Sequence, residues 1–117
     1  MEVFLVDDEP DILALTSALL KKHGHSVMSC ANSEEAKQAA KRQNYNVYLL
    51  DVHLPDGSGF ELAKFIQQIN PGAAVILMSA YDDVADEIAN NPGIKHFLKK
   101  PFKHTEVLNA IHQAATR

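Results

Sequence analysis

The sequence predicts an α/β fold built as (βα)5, and three observations predict it. Short apolar runs recur five times along the chain, and segments of helical period separate them. Several runs, such as Val75-Ile76-Leu77-Met78, are apolar without alternation, as a parallel strand covered on both faces should be. Repeated βα units imply right-handed crossovers and helices on both faces of one sheet, a three-layer sandwich.

The elements follow in order. Val3–Val6 is the first strand, and Pro10 opens a helix whose stripe is Ile12, Leu15 and Leu19. Ser26–Ser29 is the second strand, and Asn32 or Ser33 caps an alanine-rich second helix with a weak apolar face. Val47–Leu50 is the third. The helix after it runs from about Ser58, turns Leu62, Phe65, Ile66 and Ile69 inward, and stops at Asn70-Pro71-Gly72. Ala74–Met78 is the fourth strand. Asp82 and Asp83 lead a short fourth helix carrying Val84 and Ile88, where acidic residues suit the positive end of the helix dipole. Asn90-Asn91-Pro92-Gly93 ends that helix, and Pro92 keeps Asn91 extended or in a turn. Ile94–Leu98 is the fifth strand, and a fifth helix from His104 or Thr105 buries Val107, Leu108 and Ile111.

Composition narrows the function. A chain of 117 residues suits one domain, here 1–117, and an apolar share of 46% excludes disorder. No apolar run approaches the roughly 18 residues needed to span a bilayer, and no signal segment is evident, so a cytoplasmic address is expected. The single cysteine, Cys30, rules out an internal disulfide and reads as a buried structural thiol. A net charge of −4 argues against direct nucleic-acid binding by this domain. The six histidines show no zinc-like spacing.

A five-stranded sheet in the order 2-1-3-4-5 is flavodoxin-like, and its ligands lie beyond the carboxyl ends of the strands, where strand order reverses. Asp7, Asp8 and Glu9 follow strand one, Asp51 strand three, Ser79 strand four and Lys100 strand five. Carboxylates gathered at one sheet edge repel one another unless a cation sits among them, and a hard divalent ion such as magnesium suits oxygen ligands. Lys100 and Ser79 add a charge and a hydroxyl suited to phosphoryl oxygens, and a carboxylate can itself be the nucleophile.

Four motifs, each behind its own strand, then carry a resemblance: Val6-Asp7-Asp8-Glu9-Pro10, Leu50-Asp51-Val52-His53-Leu54-Pro55-Asp56-Gly57, Ser79-Ala80 and Lys100-Pro101-Phe102. The chain resembles a response-regulator receiver domain of two-component signalling over essentially its whole length. The resemblance implies that Asp51 accepts a phosphoryl group from a sensor histidine kinase or phosphotransfer protein. It implies Mg2+ (or Mn2+) held by Asp8, Asp51 and the backbone carbonyl of His53, with Asp7 acting through water. Lys100 and Ser79 would contact the phosphoryl oxygens. Ser79 and Phe97 would form the switch, changing the face made by the fourth helix, fifth strand and fifth helix toward an output domain or effector. His53 and Tyr81 occupy positions that tune self-dephosphorylation, and the Lys100-Pro101 bond is expected to be cis. The family's homodimer through the switch face is a further expectation, against which the Asn90-Asn91-Pro92-Gly93 break counts.

Two readings of Phe97 stand together, a switch or a passive core aromatic. Among rival functions, a haloacid-dehalogenase-type phosphatase would need Asp two residues beyond Asp7, where Glu9 stands. A flavin carrier would need a Ser/Thr- and Gly-rich first loop. A degenerate receiver serving as a phosphorylation-independent docking module is the alternative, disfavoured by the complete residue set. On this reading the domain is not an enzyme beyond catalysing its own phosphorylation and dephosphorylation.

Overall fold

A computed structural model describes residues 1–81, 90, 91 and 93–115. Strand β1 (Glu2–Val6) leads into helix α1 (Pro10–Lys22), β2 (Ser26–Cys30), α2 (Ser33–Arg42) and β3 (Val47–Asp51). Two short strands, β4 (His53–Leu54) and β5 (Gly57–Ser58), precede α3 (Gly59–Ile69). Then come β6 (Ala74–Ser79), β7 (Ile94–Lys99) and a C-terminal helix (His104–Ala115). The main sheet is parallel in the order β2-β1-β3-β6-β7, which is the predicted 2-1-3-4-5 once the two short strands are set aside. Asp82, Asp83, Val84 and Ile88 of the predicted fourth helix lie outside the described residues. Asn91 stands in the turn before β7, its carbonyl accepting the Ile94 N–H at 3.1 Å.

Register decides what reaches the sheet edge. Val6 pairs with Leu50, so the residues that come next, Asp7 and Asp51, leave neighbouring strands at one level. Asp51 pairs with Met78, Ser79 with Lys99, and Lys100 is one residue further on.

The sheet divides the core in two, and alternate strand residues serve alternate sides. Phe4, Val6, Tyr48, Leu50, Val75 and Leu77 pack with Ala36, Ala40, Leu62 and Ile66 from α2 and α3. Val3, Leu5, Val47, Leu49, Ile76 and Met78 pack with Leu20 from α1 and with Val107 and Ile111 from the C-terminal helix. Burial on both faces is why the strands read as unbroken apolar runs. Each large side chain removed from water in this way contributes about 1.5–3 kcal/mol.

The helices hold two corrections. In α1, Leu15 is 68% exposed, whereas Thr16 and Leu20 are buried and Leu13 and Leu19 pack against the core. The inward face therefore passes through a polar residue, which conceals the helix phase from a search for apolar stripes. In α3, Leu62 and Ile66 are buried as expected, but Ile69 at the final position is 40% exposed. Phe65 is half-buried, with the ammonium groups of Lys37 and Lys41 at 5.7 and 5.9 Å from its ring centre. In the C-terminal helix Val107 and Ile111 are buried, and Leu108 is only partly so.

The caps follow the local sequence. Asn32 takes the Glu35 N–H, and Ser58 takes those of Phe60 and Glu61. Pro10 occupies the first turn of α1, whose N-cap Glu9 makes no side-chain cap bond. Cys30 is the buried end of the edge strand β2, whose other residues are exposed apart from half-buried Val27, as a structural thiol should be. Burial, assisted by the Glu35 charge, pushes that thiol up to about 11.

Candidate acidic metal site

The expected residues converge at the carboxyl edge of the sheet. Asp7, Asp8 and Asp51 each present a carboxylate oxygen within 4.8 Å of the others, with Asp7 and Asp51 buried and Asp8 exposed. The loop after β1 is shaped by the Asp7 carboxylate, which accepts the Glu9 N–H at 2.9 Å. Asp51 accepts the His53 N–H at 3.2 Å. Both bonds span two residues and turn the chain immediately after its strand.

Lys100 enters from the end of β7 and is itself buried. Its Nζ lies 2.8 Å from Asp7 Oδ2, 3.2 Å from Asp51 Oδ2 and 3.2 Å from Glu9 Oε1. Glu9 is the partner that reading the sequence for site residues missed; its signal was its place in the Asp7-Asp8-Glu9 run. The Lys100-Pro101 peptide bond is cis, as the resemblance implies.

Charge is unevenly compensated. Burial, and secondarily the Asp7 charge, push the Asp51 carboxyl up to about 6 even though Lys100 pulls the other way. For Lys100, burial favours the neutral amine, but the bond to Asp7 and the charges of Asp51 and Asp7 outweigh it and hold the ammonium above its usual range. Three carboxylates, of Asp7, Glu9 and Asp51, thus share the Lys100 ammonium, and the Asp8 carboxylate stands beside two of them. Asp7 Oδ2 is sealed from solvent and, apart from the Lys100 ammonium, has no partner among the described residues. An all-oxygen donor set with such an oxygen fits a hard divalent cation and its bound waters.

The remaining expected residues border this cluster. Ser79 is fully buried, and its Oγ accepts the Tyr81 N–H at 3.0 Å. The His53 and Tyr81 rings meet edge to face, centres 4.8 Å apart. With Asp8, Glu9, Asp51, Ala80 and Lys100 they line an open cavity of about 230 Å3. Phe97 is half-buried and packs against the core on the α2–α3 side. Gly59 begins α3 directly on the Asp51 backbone: a Cβ there would overlap the Asp51 carbonyl oxygen and stand 2.9 Å from its carbon.

Comparison with known proteins places this geometry in a family. Residues 3–112 match the family model described as the response regulator receiver domain. The probable transcriptional regulatory protein TcrX of Mycobacterium tuberculosis is 37% identical over 107 residues, covering 91% of this chain and 46% of that protein. Response regulator protein PilR of Pseudomonas aeruginosa is 37% identical over 101 residues, covering 86% of this chain and 23% of that protein. The chain therefore spans half or less of these curated relatives.

Among solved structures, a CheY-like response regulator receiver domain protein from Methanospirillum hungatei superposes with a TM-score of 0.91 at 26% identity. It covers 97% of this chain and 92% of its own. The response regulator TrrA of Thermotoga maritima, solved with Mg2+ and BeF, superposes with a TM-score of 0.88 at 27% identity, covering 97% of both chains. No described helix is long and apolar enough to cross a membrane. The chain, with its acidic cluster at the carboxyl edge of a parallel sheet, belongs to the response regulator receiver domain family.

Proposed function

We propose that residues 1–117 act as one phosphoacceptor module and that Asp51 is the acceptor. The observation that carries this is the Asp51 carboxylate, buried at the sheet edge between the Lys100 ammonium and the Asp7–Asp8 pair. In the reaction an Asp51 carboxylate oxygen attacks phosphorus. The bond from phosphorus to the donor nitrogen of a phosphohistidine breaks, and that nitrogen leaves with its electron pair. Lys100 neutralises charge on the transferred oxygens, and Ser79 Oγ donates to one of them. Asp8, Asp51 and the His53 carbonyl, with Asp7 through water, would hold magnesium or manganese, which would supply further charge neutralisation.

The partners of this reading are a sensor histidine kinase or phosphotransfer protein upstream and an output domain or effector downstream. Ser79 draws toward the phosphoryl group and Phe97 follows, altering the face that includes β7 and the C-terminal helix. His53 and Tyr81, in edge-to-face contact beside the cavity, shield the acyl phosphate from water. The domain turns over no separate substrate.

The test is direct. With magnesium and acetyl phosphate the protein should gain one acid-stable, base-labile acyl phosphate, and Asp51→Asn should abolish it. Labelling that persists in the variant, or that needs no divalent metal, overturns the assignment.

A further inference from the structure

The His53 carbonyl belongs to the β4–β5 hairpin, in which His53 pairs with Ser58 and Leu54 with Gly57. Its base is fixed by β3 and by the Gly59 N–H, which donates to the Val52 carbonyl at 2.9 Å. Its tip, Pro55-Asp56, is held from a different element. Asp56 Oδ1 accepts the Ser33 N–H at 2.8 Å, and Oδ2 accepts the Glu34 N–H at 3.0 Å. These are the first two amides of α2, and the bonds span 23 and 22 residues.

The helix does not depend on Asp56 for its own cap. Asn32 takes the Glu35 N–H at 2.9 Å, and Glu35 Oε1 accepts the N–H of Ala31, the residue before the cap, at 3.0 Å, so this end is capped from within the local sequence. The remaining first-turn amides are left to the hairpin. One carboxylate gripping two adjacent donors fixes orientation as well as distance. Packing reinforces the grip. A Cβ on Gly57 would meet Ser33 at ordinary contact distance, 3.6 Å, and Leu54 shares a core cluster with Ala36, Ala39 and Ala40 of α2. Lys37, in the same helix, adds an attractive charge to Asp56. The bond from Ser33 is the main reason the exposed Asp56 carboxyl titrates below its usual range.

We propose that Asp56 is a positioning residue for the phosphoacceptor site: its carboxylate clamps the hairpin to the N-terminus of α2 and so sets where the His53 carbonyl stands relative to Asp51. Releasing the clamp leaves the Asp7, Asp8 and Asp51 side chains in place but frees the backbone ligand. The inference rests on the metal role given to His53 above.

The experiment measures Mg2+ binding by titration calorimetry, and thermal unfolding in parallel, for the unsubstituted protein, Asp56→Ala, Asp56→Asn and Asn32→Ala. Asn32→Ala removes a cap from the same helix end without touching the hairpin, so it reports the cost of a weakened α2 alone. Both alanine variants should melt earlier. Only Asp56→Ala should lose Mg2+ affinity, by about tenfold, the low end for a residue that orients a ligand without touching the ion. Asp56→Asn, which keeps one acceptor oxygen, should fall between and serves if the alanine variant does not fold. Unchanged Mg2+ affinity in the Asp56 variants, or an equal loss in Asn32→Ala, overturns the proposal. Absence of Mg2+ binding in the unsubstituted protein overturns the phosphoacceptor reading itself.

Discussion

Replacing Asp51 by Asn should make the metal-free protein more stable while ending its chemistry. The folded state holds the Asp51 carboxyl at about 6 against an ordinary 3.8, chiefly because it is buried. At about 1.36 kcal/mol per unit, ionising it in place costs roughly 3 kcal/mol at pH 8. Asn removes that term, in which the pull of Lys100 is already counted, and keeps an acceptor for the His53 N–H, but its amide NH2 then faces the Lys100 ammonium and goes unpaired. A net gain of about 1–2 kcal/mol at pH 8 is therefore expected. The sign follows from proton counts. Between the unfolded and folded pKa values the native state binds more protons than the unfolded chain, so stability falls as pH rises through that window. At pH 4 the folded state keeps nearly all of the proton and the unfolded chain a little under half of it, so most of the gain should be gone. Urea unfolding of both proteins in chelator at pH 8 and pH 4 checks this. Magnesium should then stabilise the Asp51 protein more than the variant. A variant less stable at pH 8, or a gain equal at the two pH values, would refute the account of a carboxylate strained by burial.

Three further outcomes follow from single contacts. Gly59→Ala forces a Cβ into the Asp51 carbonyl; it should destabilise by about 1–3 kcal/mol and slow acetyl phosphate labelling, measured by urea unfolding and a labelling time course. Tyr48→Phe removes the buried hydroxyl that accepts the Tyr45 N–H at 3.0 Å and meets Asn70 Nδ2 at 3.1 Å. It should lower stability by about 1–3 kcal/mol in urea unfolding without changing Mg2+ affinity. Tyr81→Ala opens one wall of the site cavity, so phosphate loss from the labelled protein should quicken; an unchanged or slower rate counts against shielding.

Much of this was legible in the sequence because the strands are buried on both faces and the helices alternate with them. The runs ending at Val6, Leu50 and Met78 announce themselves by composition alone, and topology then places Asp7, Asp51 and Ser79 together. What escaped was set by contacts that leave no local trace. Leu15 reads as inward from its stripe with Ile12 and Leu19, but Thr16, a polar residue, holds the buried position of the helix. The β4–β5 hairpin is too short to show any period, and Pro55-Asp56 reads equally well as a plain turn. The Asp56 grip on α2 and the Glu9 bond to Lys100 join residues 22 to 91 positions apart, beyond the reach of any pattern in a single window.

The pairing of Val6 with Leu50 and of Asp51 with Met78 makes the sheet a ruler. Distances among the site's carboxylates are read off by backbone hydrogen bonds laid down along whole strands, not negotiated by the side chains themselves. A substitution in β1 or β3 alters one tooth of this ruler. Deleting one residue from either strand would shift its carboxylate by about 3.3 Å and turn every following side chain to the opposite face. The receiver should therefore tolerate changes of residue in these strands far better than changes of length, and length variation should be confined to turns remote from the acidic edge.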